Sequence, residues 1–228
     1  MSGILHGVGV GPGDPELMTV KAWRLISTAK VIAYLTANGT ESTARTIAKP
    51  FLPDDALEIA IDMPMRLERE PAQAAYDAGA ARIAEHLSRG EDVVMLCEGD
   101  PFFYGSFMYL YERLAPRFRT VVVPGVTSIT ACAAAMGQPL CERDDVLKVL
   151  PATLDADRLR EELSTCQSAA IIKVGRHFGK VRNVLSALDL ITCATAVIKA
   201  TQDEQVIRKV EDIDEDTLPY FTTIIVRS

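Results

Sequence analysis

The sequence predicts an α/β protein built from two domains with mostly parallel sheets, and three features carry that prediction. Short apolar runs suited to buried strands recur along the chain, Gly/Pro-rich loops follow several of them directly, and helix-like patterns lead on to the next run. Ile4 to Val10 leads into GPGDP and a helical stretch from Glu16 to Ala29. Val93 to Cys97 leads into EGDP and a helical stretch reaching Leu114, and Val121 to Val123 leads into PGVTS and the Ala-rich ITACAAAMG.

Between these units, VIAYL (Val31 to Leu35) and ALEIAI (Ala56 to Ile61) have the composition of further strands, and Gln73 to Leu87 that of a helix closed by Gly90. The pattern breaks at MGQPLCERDD, a polar connection with a proline, so the boundary is expected between 140 and 141. Residues 1–140 then form the first domain and 141–228 the second. The second half carries strand candidates at Val146 to Leu150, Ala169 to Val174, Ala194 to Ile198 and Thr222 to Val226. Helical patterns lie at Asp155 to Leu163 and Lys180 to Leu190. Two domains side by side leave a cleft, a preferred place for ligands.

Composition excludes several function classes. With 48% hydrophobic and 24% charged residues over 228 positions the chain is globular in type, and no apolar run approaches the roughly 20 residues that span a bilayer. The N-terminus MSGILHGVGV has no basic segment followed by a full apolar one, so a soluble cytoplasmic protein without membrane contact is expected. A net charge of -7 argues against nucleic acid as the partner. The five cysteines, Cys97, Cys132, Cys141, Cys166 and Cys193, show no C-x-x-C pair and no histidine spaced for zinc. They are expected reduced and mostly buried, with no metal.

Two familiar phosphate-binding patterns fail on spacing. Gly9 and Gly11 would need a third glycine where Asp14 stands, and Gly7 and Gly9 would need it where Pro12 stands, so the dinucleotide fingerprint is missing. The stretch Gly175 to Val181 is one residue too short for a P-loop and ends in valine. What remains is a set of strand-end loops with backbone open to close approach. Asp14-Pro15 fits a helix N-cap followed by a first-turn proline equally well, and Thr127 or Ser128 fits an N-cap. The Asp-Pro pair returns at Asp100-Pro101, again after a strand, and ligands of open α/β sheets gather at such carboxyl ends.

GVGVGPGDPELMTVKA, CEGDPFFYG and VPGVTSITACAA together resemble the tetrapyrrole methyltransferase family, in motif order and over nearly the whole chain. The resemblance implies the class III methyltransferase fold, with S-adenosylmethionine in a cleft between two α/β domains and S-adenosylhomocysteine as product. It places cofactor contacts at Pro12, Gly99, Asp100, Pro101, Tyr104, Thr127, Ser128, Val174 and Ala200, with Asp100 accepting from cofactor donors and Glu98 either solvated or bracing the loop. It also implies a tetrapyrrole substrate and a homodimer. Within the family, DMPMRLERE and EGDPFFYGSFMYL most resemble the branch that methylates precorrin-2 at C20. A cobalt-bearing acceptor, and a non-catalytic sensor of S-adenosylmethionine, stay open as alternatives at this point.

A tetrapyrrole carrying several carboxylates calls for cations. Arg66, Arg69, Arg176 and His177 are the candidates, with Lys173 beside the last two, although Glu68 and Glu70 flank the first pair as on an ordinary solvated loop. No residue stands out as the proton acceptor. His6 is expected in the core and His86 on the surface of a helix.

Overall fold

The computed structural model describes residues 1–64 and 69–227, with Arg69 placed in its helix without a described side chain. The chain divides into two compact units, Met1–Thr127 and Ser128–Ser228.

Unit 1 is a five-stranded sheet of β1 (Leu5–Gly9), β2 (Val31–Ala37), β3 (Leu57–Met63), β4 (Val93–Cys97) and β5 (Thr120–Val123). Their order is β3-β2-β4-β1-β5 and every pairing is parallel. Four helices cover it: α1 (Val20–Ser27), α2 (Thr43–Ala48), α3 (Arg69–Ser88) and α4 (Phe107–Leu114). The two-residue period of the strands sorts the side chains. Leu5, Val93, Met95 and Cys97 pack with Ile83, Leu87, Phe107 and Leu110 of α3 and α4, whereas Val8, Val94 and Leu96 pack with Ala22, Ile26, Ala44 and Ile47 of α1 and α2. A strand covered on both faces needs no polar side, which is why VVMLC is buried throughout.

The strand order also locates a crevice. From β1 the chain moves toward β2 and β3, and from β4 it crosses β1 to reach β5, so the connections after β1 and β4 leave in opposite directions. A switch of this kind opens the sheet at the carboxyl ends of those neighbouring strands.

Unit 2 begins with α5 (Ser128–Met136) and continues through β6 (Leu147–Pro151), α6 (Ala156–Leu163), β7 (Ser168–Ile172), α7 (Phe178–Ala187), β8 (Ala194–Ile198), β9 (Val206–Lys209) and β10 (Thr222–Arg227). Its sheet runs β6-β7-β10-β8-β9, and only β6 with β7 is parallel among its described pairings. The expectation of a mostly parallel second sheet is thereby corrected. The connection from Lys199 to Gln205 is shorter than the roughly dozen residues a parallel crossover requires, so β9 returns antiparallel to β8. The last strand, β10, then slots between β7 and β8, antiparallel to both.

The expected boundary at 140/141 shifts to 127/128 because α5 packs on β10, where the Cys132 thiol meets the Thr223 hydroxyl. The helix expected from Glu16 to Ala29 is two pieces. Asp14 caps a short 3-10 turn, Pro15–Leu17, and Thr19 then starts α1 by accepting from the Ala22 N–H at 3.2 Å. Two elements have no counterpart in the sequence reading. The α2 helix is only six residues long, and β9 sits exposed at a sheet edge without a buried face to give it a pattern.

No helix among the described residues is long and apolar enough to cross a membrane. All five cysteines are free; Cys97 and Cys132 are buried, Cys166 and Cys193 half-buried, and Cys141 exposed. His6 lies in β1 and is mostly buried as expected, but His86 is also largely covered, its Nδ1 2.6 Å from Glu91.

Candidate functional site

The carboxyl edge of unit 1 is held together by backbone. Beyond β1 and β4 the ladder continues as a bridge between Gly11 and Gly99, with the Gly99 N–H donating to the Gly11 carbonyl at 2.8 Å and Val10 to Cys97 at 2.9 Å. The loop after β5 presses on the same place. A Cβ on Gly125 would lie 2.0 Å from the Gly99 carbonyl oxygen, and one on Gly9 would lie 2.7 Å from the Gly125 Cα. Three strand-end loops therefore meet at a contact that only hydrogen fits, and Gly99 adds a φ of +60°.

Asp100 locks this meeting point. Its Oδ1 accepts from the Phe102 N–H at 2.9 Å and its Oδ2 from the Gly125 N–H at 3.0 Å. Both carboxylate oxygens thus tie the β4 loop to itself and to the β5 loop. These bonds give Asp100 a bracing role, which spacing could not disclose because Gly125 lies 25 positions away. Pro12 follows Gly11, Pro101 is buried behind Asp100, and Tyr104 is 41% exposed with a φ of +56°. Thr127 is half-buried at the end of unit 1, and Ser128 opens α5.

Glu98 is the residue whose surroundings the sequence least disclosed. It is exposed, and its carboxyl accepts from its own N–H and from that of Ala44 in α2, while the protein packed on its other side pushes it somewhat above the ordinary range. The neighbouring Cys97 thiol is fully enclosed and pushed well up by burial, with Glu98 adding to the effect.

In unit 2, Val174 and Ala200 are buried just past the ends of β7 and β8. The residues before them, Lys173 and Lys199, have φ of +57° and +49°, and Thr201 follows at +67°. Left-handed backbone at non-glycine positions is costly, and here it recurs at corresponding ends of two strands that flank β10. The Gln202 Nε2 is buried with no hydrogen-bond partner among the described residues.

Among the candidate cations, Arg176 is exposed and His177 half-buried on the turn Gly175–His177. Burial, then Lys180 and Arg176, hold the His177 imidazole below its usual range, so it is neutral at neutral pH. Lys180 is spent on carbonyls, donating to Ala152 at 2.7 Å and also to Leu154. Arg66 lies outside the described residues, and Arg69 opens α3.

The family model of the Tetrapyrrole (Corrin/Porphyrin) Methylases matches residues 4–214. The chain belongs to that family. As a tetrapyrrole methylase it is 44% identical over 229 residues to "Cobalamin biosynthesis protein CobIJ" of Mycobacterium bovis, which covers 96% of this chain. The chain spans about half the length of that relative, 45% of it. It is 38% identical to "Precorrin-2 C(20)-methyltransferase" of Sinorhizobium sp, over 99% of this chain and 97% of that one. Among solved structures, the uroporphyrin-III C-methyl transferase from Thermus thermophilus complexed with S-adenyl homocysteine shares the fold, with a TM-score of 0.71 at 22% identity over 99% of this methylase and 97% of that chain.

Proposed function

We propose that this tetrapyrrole methylase transfers the methyl group of S-adenosylmethionine to the meso carbon C20 of metal-free precorrin-2, giving precorrin-3A in cobalamin biosynthesis. The observation that carries the reading is the end-to-end match to a precorrin-2 C(20)-methyltransferase, 38% identical over 97% of that enzyme. The strand-end geometry of unit 1 suits the cofactor. A backbone surface freed of side chains at Gly9, Gly99 and Gly125 and locked by Asp100 offers amides and carbonyls at fixed positions.

Residues to hold the cofactor are Pro12, Gly99, Pro101, Tyr104 and Thr127 of unit 1, with Asp100 keeping their loop in shape, and Ser128, Val174 and Ala200 of unit 2. When bound, the sulfonium supplies an electrophilic methyl group. The chain's own task is to align the acceptor carbon and exclude water, and alignment alone lowers a barrier by about 7–11 kcal/mol when the geometry is good. Arg176 is placed in this reading as a carboxylate clamp, and the neutral His177 as a hydrogen-bond partner, with Arg66 and Arg69 as further clamps.

The reading extends to a homodimer working in the cytoplasm, supported by the family resemblance and by cysteines that are all free. Light scattering on the purified chain measures the assembly. For the reaction, the chain is incubated with S-adenosylmethionine carrying a ¹³C methyl group and a precorrin-2-generating system, and the product is examined by carbon NMR. A new signal at C20 is expected. A label on a pyrrole β-carbon, or product only after cobalt insertion, would overturn the choice of acceptor.

A further inference from the structure

We propose that the side-chain amide of Gln202 reads the adenine of S-adenosylmethionine, its Nε2 donating a hydrogen bond to a ring nitrogen of the base. The inference rests on the cofactor reading above, in which Val174 and Ala200 lie against the methyl donor. Two observations carry it. The Gln202 Nε2 is buried with no acceptor among the described residues, and it belongs to the same turn as Ala200.

The edge of the unit 2 sheet that holds this turn is tied together by backbone. The strands β7 and β8 both run antiparallel to β10, so their carboxyl ends fall on one side, where β10 begins. The segment before β10 fastens both ends, with the Lys199 N–H donating to the Phe221 carbonyl at 2.8 Å and the Leu218 N–H to the Gly175 carbonyl at 3.1 Å. The turn after β8 closes as the Gln202 N–H donates to the Lys199 carbonyl at 3.1 Å, with Ala200 buried inside it. Val174, buried after β7, lies on the same edge.

Neighbouring polar groups of the turn are engaged with one another. The Gln202 carbonyl accepts from the Gln205 N–H at 3.0 Å, the Gln205 Oε1 accepts from the Thr201 N–H at 2.7 Å, and the Lys199 Nζ lies 3.7 Å from Glu204. Gln205 thus braces the turn with its side chain, whereas the Gln202 amide donor braces nothing. A buried donor without an acceptor costs free energy, and a ligand that brings an acceptor removes that cost. Gln202 as a whole is only half-buried and the last torsion of a glutamine is soft, so its amide can turn toward a ligand seated on the turn. Chemistry selects the part of the donor that sits there. The methionine end carries an ammonium, a carboxylate and the sulfonium, which call for charged partners. The adenine is neutral and flat with accepting ring nitrogens, and a carboxamide beside the apolar Val174 and Ala200 matches it, as glutamine pairs with adenine edges in general.

The test compares wild type with Gln202→Met, which keeps the length of the side chain and loses the amide. Calorimetry should show S-adenosylhomocysteine bound about tenfold more weakly by Gln202→Met. Of the 1-deaza, 3-deaza and 7-deaza analogues of S-adenosylhomocysteine, one should bind wild type about tenfold more weakly than the parent compound and bind Gln202→Met as tightly as the parent does, which names the ring nitrogen. Without ligand, Gln202→Met should melt no lower than wild type, because the donor it removes has no acceptor in the fold. Equal S-adenosylhomocysteine affinities in the two proteins overturn the proposal, as does a wild type indifferent to all three deaza substitutions. A lower melting temperature of ligand-free Gln202→Met also overturns it, since the fold itself would then supply the partner. A wild type that binds no S-adenosylhomocysteine at all would instead sink the cofactor reading beneath it.

Discussion

The two units finish their strands in opposite ways. In unit 1 the loops after β1, β4 and β5 come together by removing side chains, with Gly125 backed onto the Gly99 carbonyl and Asp100 stitching the result. In unit 2 the chain turns at the ends of β7 and β8 through Lys173 and Lys199, which keep their side chains and take left-handed backbone instead. Neighbouring parallel strands such as β4, β1 and β5 deliver their loops side by side, so backbone must pack on backbone. The strands β7 and β8 are separated by the antiparallel β10, which leaves room for side chains. Crowding thus selects glycine in one unit, and turn geometry imposes local strain in the other.

The largest effect is expected where crowding is greatest. Gly125→Val places a Cβ 2.0 Å from the Gly99 oxygen and should cost about 3 kcal/mol of stability and weaken S-adenosylhomocysteine binding about 100-fold, measured by denaturation and calorimetry. Cys132→Ala in α5 should cost about 1 kcal/mol and leave the affinity unchanged. Equal affinities in folded Gly125→Val and wild type would remove the unit 1 edge from the cofactor site.

Next comes the stitch. Asp100→Ala leaves the Phe102 and Gly125 amides without their partner, a loss of about 1–3 kcal/mol, and should weaken the cofactor product about tenfold. Asp100→Asn keeps one acceptor oxygen and should fall between alanine and wild type. An asparagine variant worse than alanine in calorimetry would show that the carboxylate acts on the ligand and not on the loop.

Unit 2 should respond with the opposite sign to glycine. Lys199→Gly relieves a φ of +49° and is expected to leave stability unchanged or raise it by less than about 1 kcal/mol, while Lys199→Val should lower it by about 1–2 kcal/mol. Thermal unfolding of the pair decides the matter, and equal melting temperatures would place the strain outside this residue.

The smallest effect concerns the edge of each sheet. On β3, Glu58 receives Arg45 at 2.5 and 2.8 Å, and chiefly that hydrogen bonding holds its carboxyl below the ordinary range. A folded value below the unfolded one means that the contribution is complete above the ordinary glutamate value of about 4.3 and is lost as the pH falls through the lowered value. Glu58→Gln should therefore cost about 1 kcal/mol at pH 7, a difference that fades in acid. In unit 2 the Arg208–Glu215 pair at 3.0 Å is open to solvent, and Glu215→Gln should shift the denaturation midpoint by no measurable amount. Similar losses from both pairs would erase this contrast.

Much of the architecture was legible because its signals are local. Apolar runs such as Val93 to Cys97 and Ala194 to Ile198 are strands at nearly the residues the sequence suggests, since strands covered on both faces need continuous apolar sequence. GPGDP, EGDP and PGVTS mark strand ends in chain order, which suffices for the family and for where its loops lie. Elements without a local signal escaped, among them the six-residue α2 and the exposed β9.

Pairing and environment were settled only by the fold. That β10 enters between β7 and β8, and that α5 belongs with unit 2, depend on contacts between segments far apart in the chain. The same holds at the site. Asp100 and Glu98 are both acidic residues in one short motif, yet Asp100 holds the backbone amides of Phe102 and Gly125 in the strand-end loops while the exposed Glu98 holds its own amide and that of Ala44 in α2. A carboxylate's residue type follows from sequence, but its partners and its access to water arise from whichever distant loops come to rest beside it.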